Sequence, residues 1–477
     1  MHGTKKQKNA TESMLMLKTK LDIQLERLRA PQPALNLVSA CKINEGIIAL
    51  SEDKIDELAQ SLYQSDKKIT FFIPASGSGS RMFHFLFEFL DNPNESNSGY
   101  VERFLTHIED FAFFYQFPAS IQKALRNRNM DLDALVSFIL NNKGYGLAHL
   151  PKGLIPFHKN GPFLLCPIQE HVVQGQLLNQ NTCSFHFTIQ PKFQEYIQRQ
   201  LEFLEGMTSR KFEVDFSVQN PDTNAVAFDD HLQPILSPDG DLLTRPAGHG
   251  ALLENFGQVD ADMVFIKNID NIQHYNHSET AIRTQRMLGG LFLEIQNEVN
   301  SLLTDFSEEA WKVFNQKYQV FHESVNELSK DEKIALLNRP LRICGMVRNE
   351  GQPGGGPFWV ENNGEITKQI VEKAQINPKN DQLRVMVQSS HFNPVMMVCQ
   401  GKNSDGSKIN VDAFKDDNAY FKVTKSNKGQ TIHFVELPGL WNGSMAKWNT
   451  VFVEIPSETF SPVKSILDLL DKAHQPG

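Results

Sequence analysis

The stretch from Lys68 to Leu90 constrains the fold more than any other part of the chain. Lys68-Ile-Thr-Phe-Phe-Ile73 is a β-branched and aromatic run of the kind that forms a buried strand. Met82-Phe-His-Phe-Leu-Phe-Glu-Phe-Leu90 is too apolar for a surface loop and reads as a buried helix. Between them lies Pro74-Ala-Ser76-Gly77-Ser78-Gly79-Ser-Arg81. A strand, a Gly/Ser loop and a helix bring backbone N–H groups around a phosphate at a helix N-terminus. Gly77 and Gly79 permit φ > 0 and close approach of a ligand, and Arg81 adds a cation of fixed fork geometry. A flexible Gly/Ser connector has the same composition, and on these residues alone that alternative stays open.

Downstream the chain alternates. Phe185–Ile189 reads as a strand, Lys192–Leu204 as an amphipathic helix, Phe212–Val218 and Met263–Ile269 as strands. Such alternation predicts an α/β fold with a mixed, mostly parallel sheet, whose ligands lie beyond the C-terminal strand ends. The Gly/Ser loop, Gln219 and Asp270 all fall at such ends. Lys152, between Pro151 and Gly153, sits on a stiff, sharply turning backbone, although an exposed turn lysine would look the same. Pro246-Ala-Gly248-His249-Gly250 leads into a second helix and suits backbone contact with a flat base, a plain helix-start turn being the alternative. The aromatic stripe Phe104, Phe111, Phe113 and Phe114 is core.

Three regions follow from this reading. Residues 1–65 form a helical accessory segment, with periodicity over Met14–Leu28 and a capped helix from Ser51. Residues 66–340 form the α/β domain that carries the Gly/Ser loop, with helical insertions near 101–142 and 276–338. Residues 341–477 form a C-terminal α+β region. Its expected strands are Leu341–Val347, Leu383–Gln388, Val395–Cys399, Thr431–Leu437 and Thr450–Ile455, closed by a helix from Val463 that places Lys464 in its first turn.

A net charge of −9 argues against nucleic-acid or anionic-membrane partners, but not against a small anion bound by local cations. Five scattered cysteines without a Cys-x-x-Cys suit buried free thiols in a reducing compartment. With no apolar run of membrane length and no signal-like h-region, the expectation is a cytoplasmic protein. His274 and His277 read as surface histidines rather than a zinc site. A kinase is excluded for want of a Gly-Lys-Ser/Thr loop.

Taken in order, these segments resemble the eukaryotic-type UDP-sugar pyrophosphorylases, and most closely an uncharacterised bacterial family of similar length. Ala75-Ser-Gly-Ser-Gly-Ser-Arg81 stands at the phosphate loop, and Pro151-Lys152-Gly153 with Ile168-Gln-Glu170 at the Pro-Lys-Gly segment and its helix. Phe216-Ser-Val-Gln219 and Pro246-Ala-Gly248-His249-Gly250 are similar to the base-binding segments, and Asn268-Ile-Asp270-Asn271 to the metal-binding turn. Ile370-Val-Glu372 is similar to the sugar segment, and Thr459-Phe-Ser-Pro-Val-Lys464 to that of a second phosphate lysine. Ala75-Ser76 departs from the family's Gly-Gly, and Ser389–Asn393 matches its sugar segment poorly.

The resemblance implies a nucleotidyltransferase (GT-A-like) fold and formation of a nucleotide-sugar, UDP-sugar first, plus pyrophosphate, from NTP and a sugar 1-phosphate. It implies Arg81, Lys152 and Lys464 as catalytic cations and Asp270 as the Mg²⁺ ligand. Ser76, Gly77, Ser78, Gly79, Gln219, Gly248, His249 and Gly250 would bind the nucleotide, UTP favoured. Gly345, Glu372, His391 and Asn393 would meet the sugar. The alternatives are an inactive nucleotide-sugar-binding regulator and a glycosyltransferase on the same fold. The latter wants an Asp-x-Asp at a strand's C-terminal end, where neither Asp260-Ala-Asp262 nor Asp239-Gly-Asp241 lies.

Overall fold

A computed structural model describes residues 20–127, 131–141, 144–352, 354–377, 379–427 and 430–477. Its centre is a ten-stranded mixed sheet. In chain order the strands are β1 (Lys42–Ile43), β2 (Gly46–Ile48), β3 (Ile69–Pro74), β4 (Ser184–Thr188), β5 (Glu213–Ser217), β6 (Met263–Lys267), β7 (Leu341–Arg348), β8 (His391–Phe392), β9 (Met396–Gln400) and β10 (Asn449–Glu454). They lie side by side as β1-β2-β10-β7-β9-β6-β3-β4-β5, with β8 added to the end of β7. Within that row only β9 runs against its neighbours, Lys267 facing Met396 on one side and Arg342 facing Cys399 on the other. The alternating apolar residues of the central strands are buried on both faces, as a mostly parallel sheet requires.

One face carries Phe71, Ile73, Phe185, Phe187, Met263, Phe265 and Val451 against helices Glu52–Tyr63, Pro167–Gly175 and Glu279–Thr304. The other carries Phe72, Val264, Ile266, Cys344, Met397 and Phe452 against Phe256, Leu440 and Trp448. The insertion after the Gly/Ser loop (helices Glu95–Thr106, Ala119–Arg126 and Leu132–Leu140) has its own core. The Phe104, Phe111, Phe113 and Phe114 rings are fully buried in it, and Val463, Ile466 and Leu467 of the C-terminal segment join them. All five cysteines are buried and free. Among the described residues no helix is long and apolar enough to cross a membrane.

The sheet differs from the sequence expectation in instructive places. Residues 1–65 are not helical throughout. A helix at 20–29 is followed by strand Asn36–Ala40, which pairs with Gly356–Asn362, and by β1 and β2, so this segment supplies one edge of the main sheet. The first part of the periodic run from Met14 lies outside the described residues. The division at 340/341 falls directly before β7, a central strand. Leu383–Gln388 is not a strand: Asn380–Met386 is a helix, tied to the N-terminal strand by Leu37 N donating to Gln382 Oε1 at 2.8 Å. A short apolar run carries too little periodicity to choose between helix and strand, and the neighbours decide.

Candidate active site

The loop after β3 is fastened to its surroundings by backbone bonds. Ala75 N donates to Thr188 O at 2.9 Å, and Gln190 Nε2 donates to Ser76 O at 2.6 Å. Gly79 N donates to Leu150 O at 2.9 Å, and Lys152 N donates to Gly77 O at 3.0 Å. The Gly/Ser loop and the Pro151-Lys152-Gly153 turn therefore form one unit, although the helical insertion that begins with Glu95–Thr106 lies between them. Neither Gly77 nor Gly79 has positive φ, contrary to expectation. Gly79 is required for space instead: a Cβ there would stand 2.5 Å from Ile155 Cδ1 and 2.9 Å from Leu150 O. Its amide is spent on Leu150, whereas those of Ser76, Gly77 and Ser78 find no acceptor among the described residues. Ser78 Oγ donates to Ser80 Oγ at 2.9 Å. Arg81 lies on the short 3₁₀ turn Ser80–Phe83 that precedes helix His84–Asp91.

Lys152 and Lys464, from distant parts of the chain, meet at Asp270. Both ammonium groups donate to Asp270 Oδ2 at 2.9 Å. Lys152 also donates to Val463 O at 2.9 Å. Asp270 Oδ1 is buried and has no hydrogen-bond partner. Burial pushes the Asp270 carboxyl up, but the two lysines outweigh it and hold it below the ordinary aspartate value. For Lys152 burial is the largest influence and lowers it; Asp270 opposes this, while Lys464 and Arg81 add like-charge repulsion. The Lys152 side chain is 15 % exposed and that of Lys464 60 %.

The sequence reading of Lys464 needs correcting. No helix begins at Val463: Ser465 caps a 3₁₀ helix over Ile466–Leu470, so Lys464 lies before it. Val463 N donates to Asp270 O at 3.0 Å, and Ser461 N donates to Asn271 Oδ1 at 2.9 Å. This pairing with the Asp270 turn holds the backbone extended where local periodicity asks for a helix. The Asp468 carboxylate accepts from Lys464 N at 2.7 Å and Ser465 N at 2.8 Å.

The proposed nucleoside side is built differently. Gln219, just past β5, donates from Nε2 to Thr223 Oγ1 and Asn224 Oδ1, both at 3.2 Å. Asn255 joins this strand end to the Gly248–Gly250 segment, its Nδ2 donating to Ser217 Oγ at 2.9 Å and Val218 O at 3.0 Å. Gly248 has φ +74°, a left-handed conformation that favours glycine. A Cβ on Gly250 would lie 1.9 Å from Pro438 O. His249 stacks on Trp441, ring centroids 4.0 Å apart at 19°. Its Nδ1 accepts from Leu440 N at 2.9 Å, and its Nε2 lies 3.8 Å from Glu372 Oε1. Sequence reasoning missed Trp441 and Asn255, since neither stands in a motif; only the Pro438-Gly439 turn before Trp441 offered a signal.

Asn393 Nδ2 donates to Gly345 O at 2.8 Å, so these two engage each other inside the fold. His391 Nδ1 and Ser390 Oγ are 2.9 Å apart, and His391 Nε2 is 3.4 Å from Glu454 Oε1. Asp262 and Asp260 lie at the N-terminal ends of β3 and β6, where Asp262 accepts from Lys68 N and Asp260 pairs with Lys68 and Lys402. His274 is buried rather than on the surface, with Nε2 3.1 Å from Lys159 O. Among the described residues no three His, Cys, Asp or Glu side chains form a metal-holding group. Asp270 is thus a single hard-oxygen donor with one unpartnered oxygen. That fits Mg²⁺, which binds through one or two carboxylates plus substrate phosphates, and does not fit a structural zinc.

A family model described as a domain of unknown function (DUF4301) matches residues 4–475. No curated protein sequence matches the chain. Among solved structures, the UDP-N-acetylglucosamine pyrophosphorylase of Trypanosoma brucei in complex with an inhibitor is similar, with a TM-score of 0.51 and 12% identity, over 95% of this chain and 75% of that one. A mutant UDP-glucose pyrophosphorylase of Leishmania major with UDP-glucose matches with a TM-score of 0.45 and 11% identity, over 98% of this chain and 77% of that one. At such identity the first likeness speaks for the fold alone.

Proposed function

The chain belongs to the DUF4301 family, whose domain is of unknown function, and from that premise we propose that it is a nucleotidyltransferase. It joins a nucleotide, UTP favoured, to a sugar 1-phosphate and releases pyrophosphate. The observation that carries this reading is the convergence of Lys152 and Lys464 on Asp270 Oδ2, each at 2.9 Å, beside the Gly/Ser loop. The fold shared with a UDP-N-acetylglucosamine pyrophosphorylase supports it.

In such a reaction a phosphate oxygen of the sugar phosphate attacks the α-phosphorus, and the bond to the pyrophosphate oxygen breaks. The attacking oxygen is already an anion, so little proton transfer is needed. The barrier is crowded negative charge and in-line geometry, which positioning and fixed cations lower. The Ser76, Gly77 and Ser78 amides and Arg81 would hold the leaving phosphates, with Lys152 and Lys464 flanking the reacting phosphorus. Asp270 would hold Mg²⁺, which when bound neutralises phosphate charge. The Gln219 amide and the His249–Trp441 stack would take the base, with Gly248 and Gly250 shaping its approach. Glu372 and His391 would face the sugar, backed by the Gly345–Asn393 pair. The glycosyltransferase alternative lacks support, because Asp260 and Asp262 are held by Lys68 at the N-terminal strand ends, away from the C-terminal ends.

The test is pyrophosphate release from each of four NTPs with Mg²⁺ and a panel of sugar 1-phosphates. Release with UTP and at least one sugar phosphate is expected. Nucleotide-sugar binding with no release under any pairing would make the protein the inactive regulator instead. Equal UTP and ATP affinities by calorimetry would remove the uridine preference.

A further inference from the structure

Beneath the site runs a chain of buried polar side chains that the chemistry above does not use. His158 Nδ1 is 2.8 Å from Glu170 Oε1, and neither side chain has any solvent exposure. His158 Nε2 is 3.0 Å from His474 Nδ1, the two rings stacked with centroids 5.3 Å apart at 24°. Gln174 Nε2 donates to Glu170 Oε2 at 3.0 Å, so both oxygens of that carboxylate are engaged.

His158 Nδ1 faces the Glu170 carboxyl and donates to it. One N–H is shared between the facing His158 Nε2 and His474 Nδ1. Burial, the largest influence, pushes His474 down to about 3. The chain reads Glu170, His158, His474.

Its two ends rest on the two lysine-bearing segments. His158 lies on the hairpin His158–Asn160/Phe163–Leu165, which follows the Lys152 turn, and Glu170 lies on the helix after it. Ser461 and His474 bracket Lys464 on the C-terminal strap. The strap runs along 270–277: Val463 N donates to Asp270 O at 3.0 Å, His274 N donates to Ala473 O at 2.8 Å, and Asn276 Nδ2 donates to Pro476 O at 2.7 Å. A fully buried polar chain adds little to stability, because well-packed apolar side chains serve as well or better. What it supplies is direction, since only one seating of the strap satisfies every donor and acceptor.

We propose that Glu170, His158 and His474 are positioning residues that seat the C-terminal strap against the Lys152 hairpin and so set where the Lys464 ammonium stands. This deepens the nucleotidyltransferase reading and rests on it for its catalytic consequence.

The test uses the full chain and inorganic pyrophosphate as the probe. His474→Phe keeps a buried ring but removes the hydrogen bond to His158. Pyrophosphate affinity and kcat should each fall about 10-fold or more, on the scale of a misplaced reacting group, with the KM for sugar phosphate unchanged. His474→Asn, whose side-chain amide offers both a donor and an acceptor to His158 Nε2, should recover most of the loss. In a Lys464→Ala background His474→Phe should cost nothing further, because residues acting through one group do not add. Equal losses in both backgrounds would overturn the proposal and leave the chain purely structural, as would wild-type pyrophosphate affinity in His474→Phe. If His474→Phe does not fold, truncation after Asp471 removes the same link and is judged by the same comparison. Should wild-type protein bind no pyrophosphate, the nucleotidyltransferase reading fails, and positioning is judged by Lys464 acylation followed by mass spectrometry. A rate unchanged by His474→Phe would then overturn the positioning role.

Discussion

The two parts of the candidate site are made by opposite means. At the proposed phosphate end, charged side chains from Lys152, Asp270 and Lys464 neutralise one another across distant parts of the chain. At the proposed nucleoside end, shape comes from His249 lying on Trp441 and Gly250 lying against Pro438 O. The first arrangement leaves two ammonium groups sharing one carboxylate oxygen, a surplus of cation that a polyphosphate would satisfy. The second is already close-packed without any ligand. Changes at the phosphate end should therefore alter turnover more than stability or affinity, and changes at the nucleoside end the reverse.

The largest expected effect is at Lys464. Lys464→Ala should lower catalytic efficiency by ~10²–10³, as when one charge-stabilising donor is lost. Thermal stability should hardly move, because the side chain is 60 % exposed and Asp270 keeps Lys152. Lys464→Arg should restore only part, since a planar fork does not replace a point charge. Wild-type turnover in Lys464→Ala would return this residue to the surface and undo the comparison.

Asp270→Asn comes next, with turnover down by at least ~100-fold and a weakened dependence on added Mg²⁺, measured by initial rates across a metal titration. An unchanged Mg²⁺ profile would place the metal elsewhere. At the other end, His249→Ala removes one ring of the stack, which is worth roughly 0.5–1.5 kcal/mol. The KM for the nucleotide should rise ~3–10-fold on that scale with kcat nearly constant. A fall in kcat with no change in KM would show that the two ends do not divide the work in this way.

The smallest effect sharpens the phosphate end by contrast. Lys368 is a buried lysine without a carboxylate: Nζ donates to Gly46 O at 2.8 Å and lies over the Trp359 ring, and burial lowers it from 10.5 to about 8. Its folded value lies below its unfolded one, so between about 8 and 10.5 the unfolded chain binds more protons. Its contribution to stability thus rises as pH rises through that window. Lys368→Met should remove that share of the rise and add on the order of 1 kcal/mol at pH 7, read from urea unfolding at several pH values. Lys267, also lowered to about 8 by burial, keeps its own share. A steeper rise in Lys368→Met would mean that the ammonium is answered by a group other than Gly46 O.

Much of the mixed, mostly parallel sheet was legible in the chain. Runs such as Ile69–Pro74, Ser184–Thr188 and Met263–Lys267 are buried on both faces and long enough to read. The insertion's aromatic core was legible for the same reason. Leu383–Gln388 was not, being short and amphipathic in either period, and neither were β1 and β2, only two and three residues long. At the candidate site the residue types could be named in advance, but not their partners. Gln219 turning to Thr223 and Asn224, Asn393 bonding Gly345, and Trp441 under His249 all depend on segments that meet only after folding.

By itself the sequence determined where buried strands begin and end, and that a Gly/Ser loop, a Pro-Lys-Gly turn and an aspartate stand at strand ends. Those properties are local, because they follow from side-chain period and backbone freedom over a few residues. Tertiary structure decided that β9 runs against its neighbours, that the N-terminal segment completes the sheet edge, and that Gly79 is needed for space rather than for φ. It also decided the fate of Lys464. Its local sequence has the apolar spacing of a helix, yet hydrogen bonds from Val463 to Asp270 and from Ser461 to Asn271 hold the backbone extended. A nascent helical turn this short is marginal alone, and satisfying buried backbone groups across the Asp270 turn outweighs it.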